Sequence, residues 1–256
     1  MNENSEVVLY SIQNGIARIT LNRPEKRNAL NDAMIGALKD VLRRTDQDES
    51  VRVIVIAGAG SDFCSGADLT ALQKISAAPV AENLEDAGSL MELFMLIREV
   101  QVPVIAAVHG RALAGGCGLA LACDMVLAAR SARFGFPEVK IGFVPAMVMA
   151  ILRRNVSEKK AFELITLGDE IGADEAEAFR LINRAFADDR FQAEVENVAR
   201  RFEKLSRSAI RLSKRLLYQM DGLTLEGALS AGVDVNAIAR MSDDCQRGIE
   251  RFLKKN

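Results

Sequence analysis

Residues 104–118 read VIAAVHGRALAGGCG, and this stretch decides the fold. Its first five residues are all apolar and predict a buried strand. The glycines that follow predict a turn into a helix, which we expect over residues 119–123. A Gly-Gly step at such a junction lets backbone approach closely, and the helix start leaves unpaired N–H groups that favour negative charge. We therefore predict that this stretch forms half of an oxyanion hole.

The composition is that of an ordinary globular protein. The chain has 256 residues, 49% of them hydrophobic and 27% charged, which allows one large domain or one domain with an appendage. A net charge of −2 argues against bulk nucleic-acid binding. The N-terminal residues MNENSEVVLY carry no secretory signal, and no apolar run reaches the length of about 18 residues that a membrane span needs.

The four cysteines, Cys64, Cys117, Cys123 and Cys245, show no CxxC spacing. This pattern is typical of buried free thiols in a reducing compartment, so we expect a cytoplasmic protein without a metal site.

The elements around this stretch predict an α/β fold. Alternating residues 7–12 and 16–21 flank Asn14-Gly15 and predict a hairpin, and Asn31 is expected to cap a helix. Apolar runs at 51–56, 104–108 and 125–129 predict strands joined by right-handed crossovers. The polar, Ala-rich residues 70–88 favour a loop or lid before a helix over 90–100.

From residue 190 onward every segment predicts a helix. We therefore divide the chain into a core, 1–190, and a C-terminal helical region, 191–256. The apolar faces of these helices are expected to pack on the core or on other subunits.

Several familiar motifs are missing from the sequence. There is no GxxxxGK[ST] and no GxSxG, and Gly116-Cys117-Gly118 lacks the third glycine of a dinucleotide fingerprint. The one histidine, His109, ends the central strand and is expected to be packed or hydrogen-bonded.

The candidate catalytic groups lie in two glycine-bearing loops and at one acid. Residues 65–68 (SGAD) and 114–116 (AGG) can each present a bare N–H, and two such donors would stabilise an oxyanion; alternatively, both are tight turns required for packing. Glu138 stands alone in an apolar segment. It is either a solvated surface residue or a buried carboxyl whose raised pKa suits acid/base catalysis.

Four segments, in this order, resemble the crotonase superfamily, which is the enoyl-CoA hydratase/isomerase family. They are NRPEKRNAL (22–30), FCSGADL (63–69), AGGCGLALACD (114–124) and FGFPEVKIG (134–142). The resemblance covers essentially the whole chain.

The resemblance implies a spiral of ββα units with a C-terminal helical trimerisation region, assembled as a trimer or a dimer of trimers. It implies an acyl-CoA thioester substrate and no cofactor beyond the coenzyme A of that substrate. The N–H groups of Ala67 and Gly115 would form the oxyanion hole, and Glu138 would carry the proton. The substrate and CoA groove would be lined by Lys26 or Arg27, Ala29, Gly115 and the loop Ser65, Ala67, Asp68 and Leu69.

One position departs from the family pattern. Hydratases with two catalytic glutamates carry the second one where this chain has Gly118, so efficient two-carboxylate hydration is in question. Gly118 would instead leave space for water or a bulkier acyl group. The first interpretation is a lyase, an enoyl-CoA hydratase, in which Glu138 acts alone or with an acid of the 70–92 region: Glu82, Glu85 or Glu92. It ranks first because similar sequences with this glycine resemble enoyl-CoA hydratases.

Three alternatives remain open at this stage. One carboxylate beside an enolate is enough for a 3-enoyl-CoA to 2-enoyl-CoA isomerase. A decarboxylase of the same superfamily is the next alternative. The last is a non-catalytic acyl-CoA-binding scaffold, which the missing acid favours and the retained Glu138 opposes.

Overall fold

The computed structural model describes residues 6–254, apart from the side chains of Leu69, Lys74, Ile75 and Ser76. The strands in chain order are β1 (Val8–Gln13), β2 (Ile16–Leu21), β3 (Val53–Gly58), β4 (Val104–Val108), β5 (Arg111–Leu113), β6 (Met125–Ala129), β7 (Arg133–Gly135), β8 (Ile171–Gly172) and β9 (Arg184–Phe186). They form a six-stranded sheet in the order β1-β2-β3-β4-β6-β9 and a small sheet in the order β5-β7-β8.

The α-helices in chain order are α1 (Asp32–Gln47), α2 (Leu69–Ser76), α3 (Val80–Glu99), α4 (Gly115–Ala122), α5 (Ala146–Asn155), α6 (Glu158–Leu167), α7 (Ala173–Ala178), α8 (Phe191–Arg201), α9 (Arg207–Gln219), α10 (Leu225–Met241) and α11 (Asp243–Leu253). Short 3-10 turns occupy Pro24–Lys26, Pro137–Ile141 and Phe202–Lys204. The predicted α/β class is confirmed.

The β1–β2 hairpin and the start of α1 lie where the sequence predicts them. Strands β1 and β2 are antiparallel, and the turn between them has positive φ at Asn14 (53°) and Gly15 (72°). The side chain of Asn31 accepts a hydrogen bond from the Met34 N–H and so caps α1. The remaining neighbours in the large sheet pair in parallel.

The chain repeats one structural unit that contributes strands to both sheets. A long strand of the large sheet leads to a short strand and then to a helix, as in β4-β5-α4 and in β6-β7 followed by α5. Single parallel bridges, Leu30 to Ala67 and Cys64 to Ala112, occupy the corresponding short-strand positions in the two earlier turns. The short strands thus bring successive glycine-bearing loops side by side.

The large sheet is covered on both faces. One apolar cluster contains residues of α1, α3 and α4, and a second contains Ile16, Val53, Ile105 and Leu127 together with residues of α8. Helix α8 therefore packs on the sheet with its buried Phe191. The division of the chain at residue 190 stays a prediction, but the first helix beyond it contacts the core.

Two sequence-based expectations were wrong. Residues 70–88 are not a loop, because α2 and the first half of α3 lie there, and α3 begins at Val80 rather than at residue 90. Helix α4 begins at Gly115 rather than at residue 119, so the glycines form its first turn instead of preceding it.

Helix α9 is joined to the core by a buried ion pair. The Lys214 ammonium donates to Asp124 Oδ2 at 2.7 Å and to the carbonyls of Ile97 and Val102, each at 3.0 Å. Tyr218 Oη donates to Asp124 Oδ1 at 2.6 Å. Across residues 6–254, no helix combines the length and the hydrophobicity that crossing a bilayer requires.

Candidate active site

The start of α4 presents its first backbone N–H groups without helical partners, as every helix does. The preceding residue, Ala114, has φ 50° and ψ −128°, a conformation rare for residues with a side chain, and its N–H donates to the Gly135 carbonyl at 2.9 Å. The Gly115 N–H makes no hydrogen bond to any described residue. Gly115 is therefore available as a donor at a helix N-terminus, where negative charge is favoured.

The Ala67 N–H lies on the side of its loop that faces the start of α4. In the bridge to Leu30, the hydrogen bonds use the Gly66 carbonyl and the Asp68 N–H, so the Ala67 N–H faces away from Leu30. On that other side, a Cβ built at Gly66 would lie 2.8 Å from the Ala114 Cβ and 3.5 Å from the Gly115 nitrogen. No acceptor for the Ala67 N–H occurs in the described part of the chain. The structure thus brings the two predicted donors together.

Glu138 follows β7 and lies beside α4. Its 3-10 turn begins at Pro137, two residues after Gly135 pairs with Leu113. The charge of Glu138 raises the pKa of the Cys117 thiol, which lies in the first turn of α4. The side chain is only 7% exposed, and its Oε2 has no hydrogen-bond partner among the described residues. Burial raises the pKa of Glu138 above the usual range of a glutamate. A shift in this direction suits a carboxyl group to acid/base catalysis.

Gly118 does not leave empty space. A Cβ at this position would lie 2.7 Å from Val148 Cγ2 and 3.0 Å from Phe94 Cζ, so both side chains already fill the volume of the missing side chain. The expectation of room for water or a bulkier acyl group at this position is therefore wrong. A second carboxylate would need Val148 and Phe94 to move.

The three acids considered as substitutes are placed differently from Glu138. Glu82, Glu85 and Glu92 are all exposed. Glu92 forms an ion pair with Lys39 at 3.0 Å. None of them forms a hydrogen bond with the unpartnered Oε2 of Glu138 within the described residues.

The loop of the predicted CoA groove borders Ala67. Lys26 and Arg27 are exposed and have no ion-pair partner within residues 6–254, whereas Ala29 is buried. The Ser65 N–H donates to the Arg27 carbonyl at 3.0 Å and ties the two loops together. Leu69 begins α2, but its side chain lies outside the described residues.

Asp68 is placed in this loop as predicted, but its carboxylate is already occupied. It pairs with Arg23 at 2.9 Å, and this hydrogen bond holds the pKa of Asp68 below its usual range. Its Oδ1 also accepts from the Thr70 N–H at 2.9 Å, at the start of α2. Asp68 therefore shapes the loop, because its carboxylate pairs with Arg23 and its N–H donates to the Leu30 carbonyl.

One residue that organises the site, Asn28, was not predicted from the sequence. Asn28 is fully buried at φ 55°; its Nδ2 donates to the carbonyls of Ala59 and Asp62, both at 2.8 Å. Its Oδ1 accepts from the Arg23 N–H at 2.9 Å. The asparagine beside two basic residues was a visible signal, because asparagine tolerates positive φ and bonds to nearby backbone.

The other candidate groups lie elsewhere or are inert. His109 Nε2–H donates a hydrogen bond to the Gly60 carbonyl at 2.9 Å, as the packed-histidine interpretation expects. Burial raises the pKa of Cys64 to about 12 and also raises that of Cys117, so neither thiol is a ready nucleophile. Within the described residues, no group of three or more His, Cys, Asp or Glu could hold a metal ion.

Comparison with known sequences decides the family. The sequence profile described as enoyl-CoA hydratase/isomerase matches residues 11–256. The chain belongs to the enoyl-CoA hydratase/isomerase family. A Thermus thermophilus protein with an enoyl-CoA hydratase assignment is 39% identical over 240 residues, which are 94% of this chain and 95% of the relative. The crotonyl-CoA hydratase of Syntrophomonas wolfei is 34% identical over 253 residues, 98% of this chain and 96% of the relative.

Solved structures of the enoyl-CoA hydratase/isomerase family share the fold. The enoyl-CoA hydratase of Mycobacterium smegmatis superimposes with a TM-score of 0.92 and 33% identity, covering 98% of this chain and 97% of that one. The predicted crotonase-like fold with C-terminal helices is thereby confirmed. Enzymes of this family act on CoA thioesters.

The filled space at Gly118 gives a stability prediction for this member of the family. Gly118→Ala should lower the free energy of unfolding by about 1–3 kcal/mol, because the new methyl group overpacks the contact with Val148 and Phe94. Urea denaturation measures the change. Gly36→Ala is the matched control: it lies in α1 with nothing within 4 Å of its Cβ and should gain up to about 1 kcal/mol. Equal effects of the two substitutions would contradict the steric account.

Proposed function

We propose that this chain is an enoyl-CoA hydratase that works with one catalytic carboxylate. The observation that carries the proposal is Glu138, a buried acid with an unpartnered Oε2, placed beside the helix start that presents Gly115. The names of the relatives support a hydratase, and the two unused N–H groups supply what an enolate intermediate needs.

In the proposed reaction, the thioester carbonyl oxygen accepts hydrogen bonds from the N–H groups of Ala67 and Gly115. Water oxygen bonds to C3 while Glu138 removes one of its protons, and negative charge builds on the thioester oxygen. Glu138 then delivers that proton to C2, which restores the carboxylate and gives 3-hydroxyacyl-CoA. A raised pKa makes Glu138 both a stronger base and an acid usable near neutral pH.

Coenzyme A would lie along the loop pair that contains Lys26, Arg27, Ala29 and Ser65. The two exposed cations suit the phosphates of coenzyme A, and the thioester end of the substrate would lie at Ala67. No cofactor besides the coenzyme A of the substrate is needed for this chemistry. A cytoplasmic location stays a prediction.

An isomerase that moves a double bond from C3 to C2 is the second candidate. It is favoured by the same single carboxylate, because one base can carry a proton between C2 and C4. The purified protein should be assayed with crotonyl-CoA and with a 3-enoyl-CoA. Loss of the conjugated enoyl-thioester absorbance from crotonyl-CoA supports hydration, and its gain from the 3-enoyl-CoA supports isomerisation. Tight binding of both thioesters without turnover would overturn the enzyme proposal in favour of a scaffold.

We further propose that the C-terminal helices assemble the protein as a trimer or a dimer of trimers. Helix α10 leaves Leu225, Leu229 and Val233 between 64% and 78% exposed, which is unusual for a solvated helix. The combined change Leu229→Glu and Val233→Glu should therefore give monomers in light scattering. Asp234→Lys, which reverses a charge at an exposed position of α10 that points away from Leu229 and Val233, is the control and should leave the assembly intact. A monomeric unsubstituted protein would contradict the proposal.

A further inference from the structure

A large cavity lies between α3, α5 and α9. Its volume is about 1010 Å³, and the catalytic groups do not line it. Its wall is apolar along the two core helices and the tail helix, formed by Met91, Phe94, Met95, Met147, Ile151 and Leu212. Flexible methionine side chains of this kind accommodate chains of varying shape.

The cavity is reached from the catalytic end along α3. Leu90 Cδ2 lies 3.9 Å from a Cβ built at Gly115, and Phe94, one turn later, borders Gly118 and lines the cavity. Arg98 follows after another turn, about 12 Å along the helix from Leu90. Helix α5 runs in the same direction, because Val148 near its start borders Gly118 and Arg154 near its end lines the cavity. An acyl chain held at Gly115 would therefore reach the cavity past Leu90 and Met91, and not through the space at Gly118 that Phe94 and Val148 fill.

The end of the cavity farthest from Gly115 is cationic. Arg98 and Arg154 share one carboxylate, that of Asp221, at 3.1 Å and 2.9 Å. Arg211 donates to Gln101 at 2.9 Å, and neither Arg211 nor Arg215 has an ion-pair partner among the residues described. The lining thus holds four arginines and only two acidic side chains, Glu99 and Asp221, in addition to Lys214, whose charge is paired with Asp124.

An excess of positive charge beside an apolar wall favours a ligand that carries an anionic group at the end of an apolar chain. Each guanidinium has five N–H donors, so Arg98 and Arg154 keep free donors after binding Asp221. Long side chains on a helix also lean toward its N-terminus, which on both α3 and α5 is the catalytic end. A methyl-ended acyl chain would use the apolar wall alone.

We propose that the cavity binds the distal carboxylate of a dicarboxylic acyl-CoA, with Arg154 and Arg98 as the residues that determine this specificity. The inference rests on the proposed function, since it places the thioester carbonyl of the same substrate at Gly115. It specifies the substrate class as 2-enoyl-CoA thioesters whose acyl chain ends in a carboxylate.

The test compares 2-enoyl-CoA pairs of equal chain length, one ending in methyl and one in carboxylate, over a series of lengths. The carboxylate-ended member should have the higher kcat/KM, by roughly 10–100-fold at the best length. Arg154→Gln should abolish this preference by raising KM for the carboxylate-ended substrate alone. Arg153→Gln is the matched control, because Arg153 is the neighbouring exposed arginine on α5, does not line the cavity and pairs with Glu158.

The outcomes separate this inference from the proposed function. Turnover of both members without a preference, or equal effects of the two arginine substitutions, would overturn the inference and leave the hydratase proposal standing. If neither member is turned over, the hydratase proposal fails. The inference is then decided by calorimetric binding of the saturated thioester pair, where the same preference and the same loss in Arg154→Gln are expected and equal affinities would overturn it.

Discussion

Glu138→Gln is expected to lower the turnover of a 2-enoyl-CoA by about 10²–10⁴-fold, the usual loss when a positioned acid/base is removed. The amide occupies the same volume but cannot take a proton from water or deliver one to C2. Binding of a saturated acyl-CoA should persist, because the N–H groups of Ala67 and Gly115 are unchanged. The loss should therefore appear in kcat, measured by steady-state kinetics, with thioester affinity followed by calorimetry.

The same variant should be more stable than the unsubstituted protein at neutral pH. The pKa of Glu138 is raised in the fold, so its ionisation destabilises the native state increasingly as the pH rises from the pKa of the unfolded chain to that of the folded one. The gain in Tm should therefore be present at about pH 8 and vanish at about pH 3, where the group is protonated in both states. Glu49→Gln, at an exposed position between α1 and β3, is the charge-matched control and should change neither activity nor Tm. Near-normal turnover in Glu138→Gln would refute the assignment.

Asp124→Asn is expected to lower the free energy of unfolding by about 3–5 kcal/mol, because it leaves the buried ammonium of Lys214 without a counter-charge. Asp124 accepts hydrogen bonds from Lys214, from Tyr218 and, at 2.6 Å, from the Val104 N–H. Burial lowers the pKa of Lys214, which shows that the environment opposes an unpaired charge there. Urea denaturation measures the loss, and limited proteolysis should show α9 released from the core.

Two further variants distinguish a buried pair from a general loss of charge. Asp124→Asn combined with Lys214→Met removes both charges and should recover most of the stability. Glu158→Gln breaks the pair with Arg153, which is 3.8 Å long and whose side chains are 71% and 84% exposed, and should cost less than about 1 kcal/mol. Equal losses for the buried and the exposed pair would show that burial does not control the energy.

Local chemistry made part of the fold predictable. The hairpin at Asn14-Gly15 and the cap at Asn31 depend on neighbours in sequence, and both are confirmed. The glycines of α4 misled the prediction, because intrinsic propensity opposes helix there. Gly116 is in the helix nonetheless, since a Cβ would lie 2.3 Å from the Cys64 carbonyl oxygen and no larger residue fits.

Helix α3 was missed over its first half for a related reason. Its first residues are polar and acidic, and its apolar side chains Val80, Leu84 and Met91 are exposed, so the sequence shows no clean apolar stripe. Tertiary packing of Leu93 and Phe94 holds the helix in place instead. Such packing depends on partners far away in the chain.

The candidate site was also predictable only where neighbours in the sequence determine it. The motifs pointed to Ala67, Gly115 and Glu138, and the structure brings their loops together. The occupants of the space at Gly118 could not be predicted, because Phe94 and Val148 come from two other helices. The pair Lys214–Asp124 was equally invisible, since 90 residues separate its members.

The packed volume at Gly118 has an evolutionary consequence. If one-carboxylate and two-carboxylate sites descend from a common ancestor, a single substitution at position 118 does not convert this site into the other kind. A glutamate there requires smaller or displaced side chains at positions 94 and 148, so the intermediate with only the first change is overpacked and selected against. Positions 94, 118 and 148 are therefore expected to change together within lineages, and the order of change begins with the two neighbours.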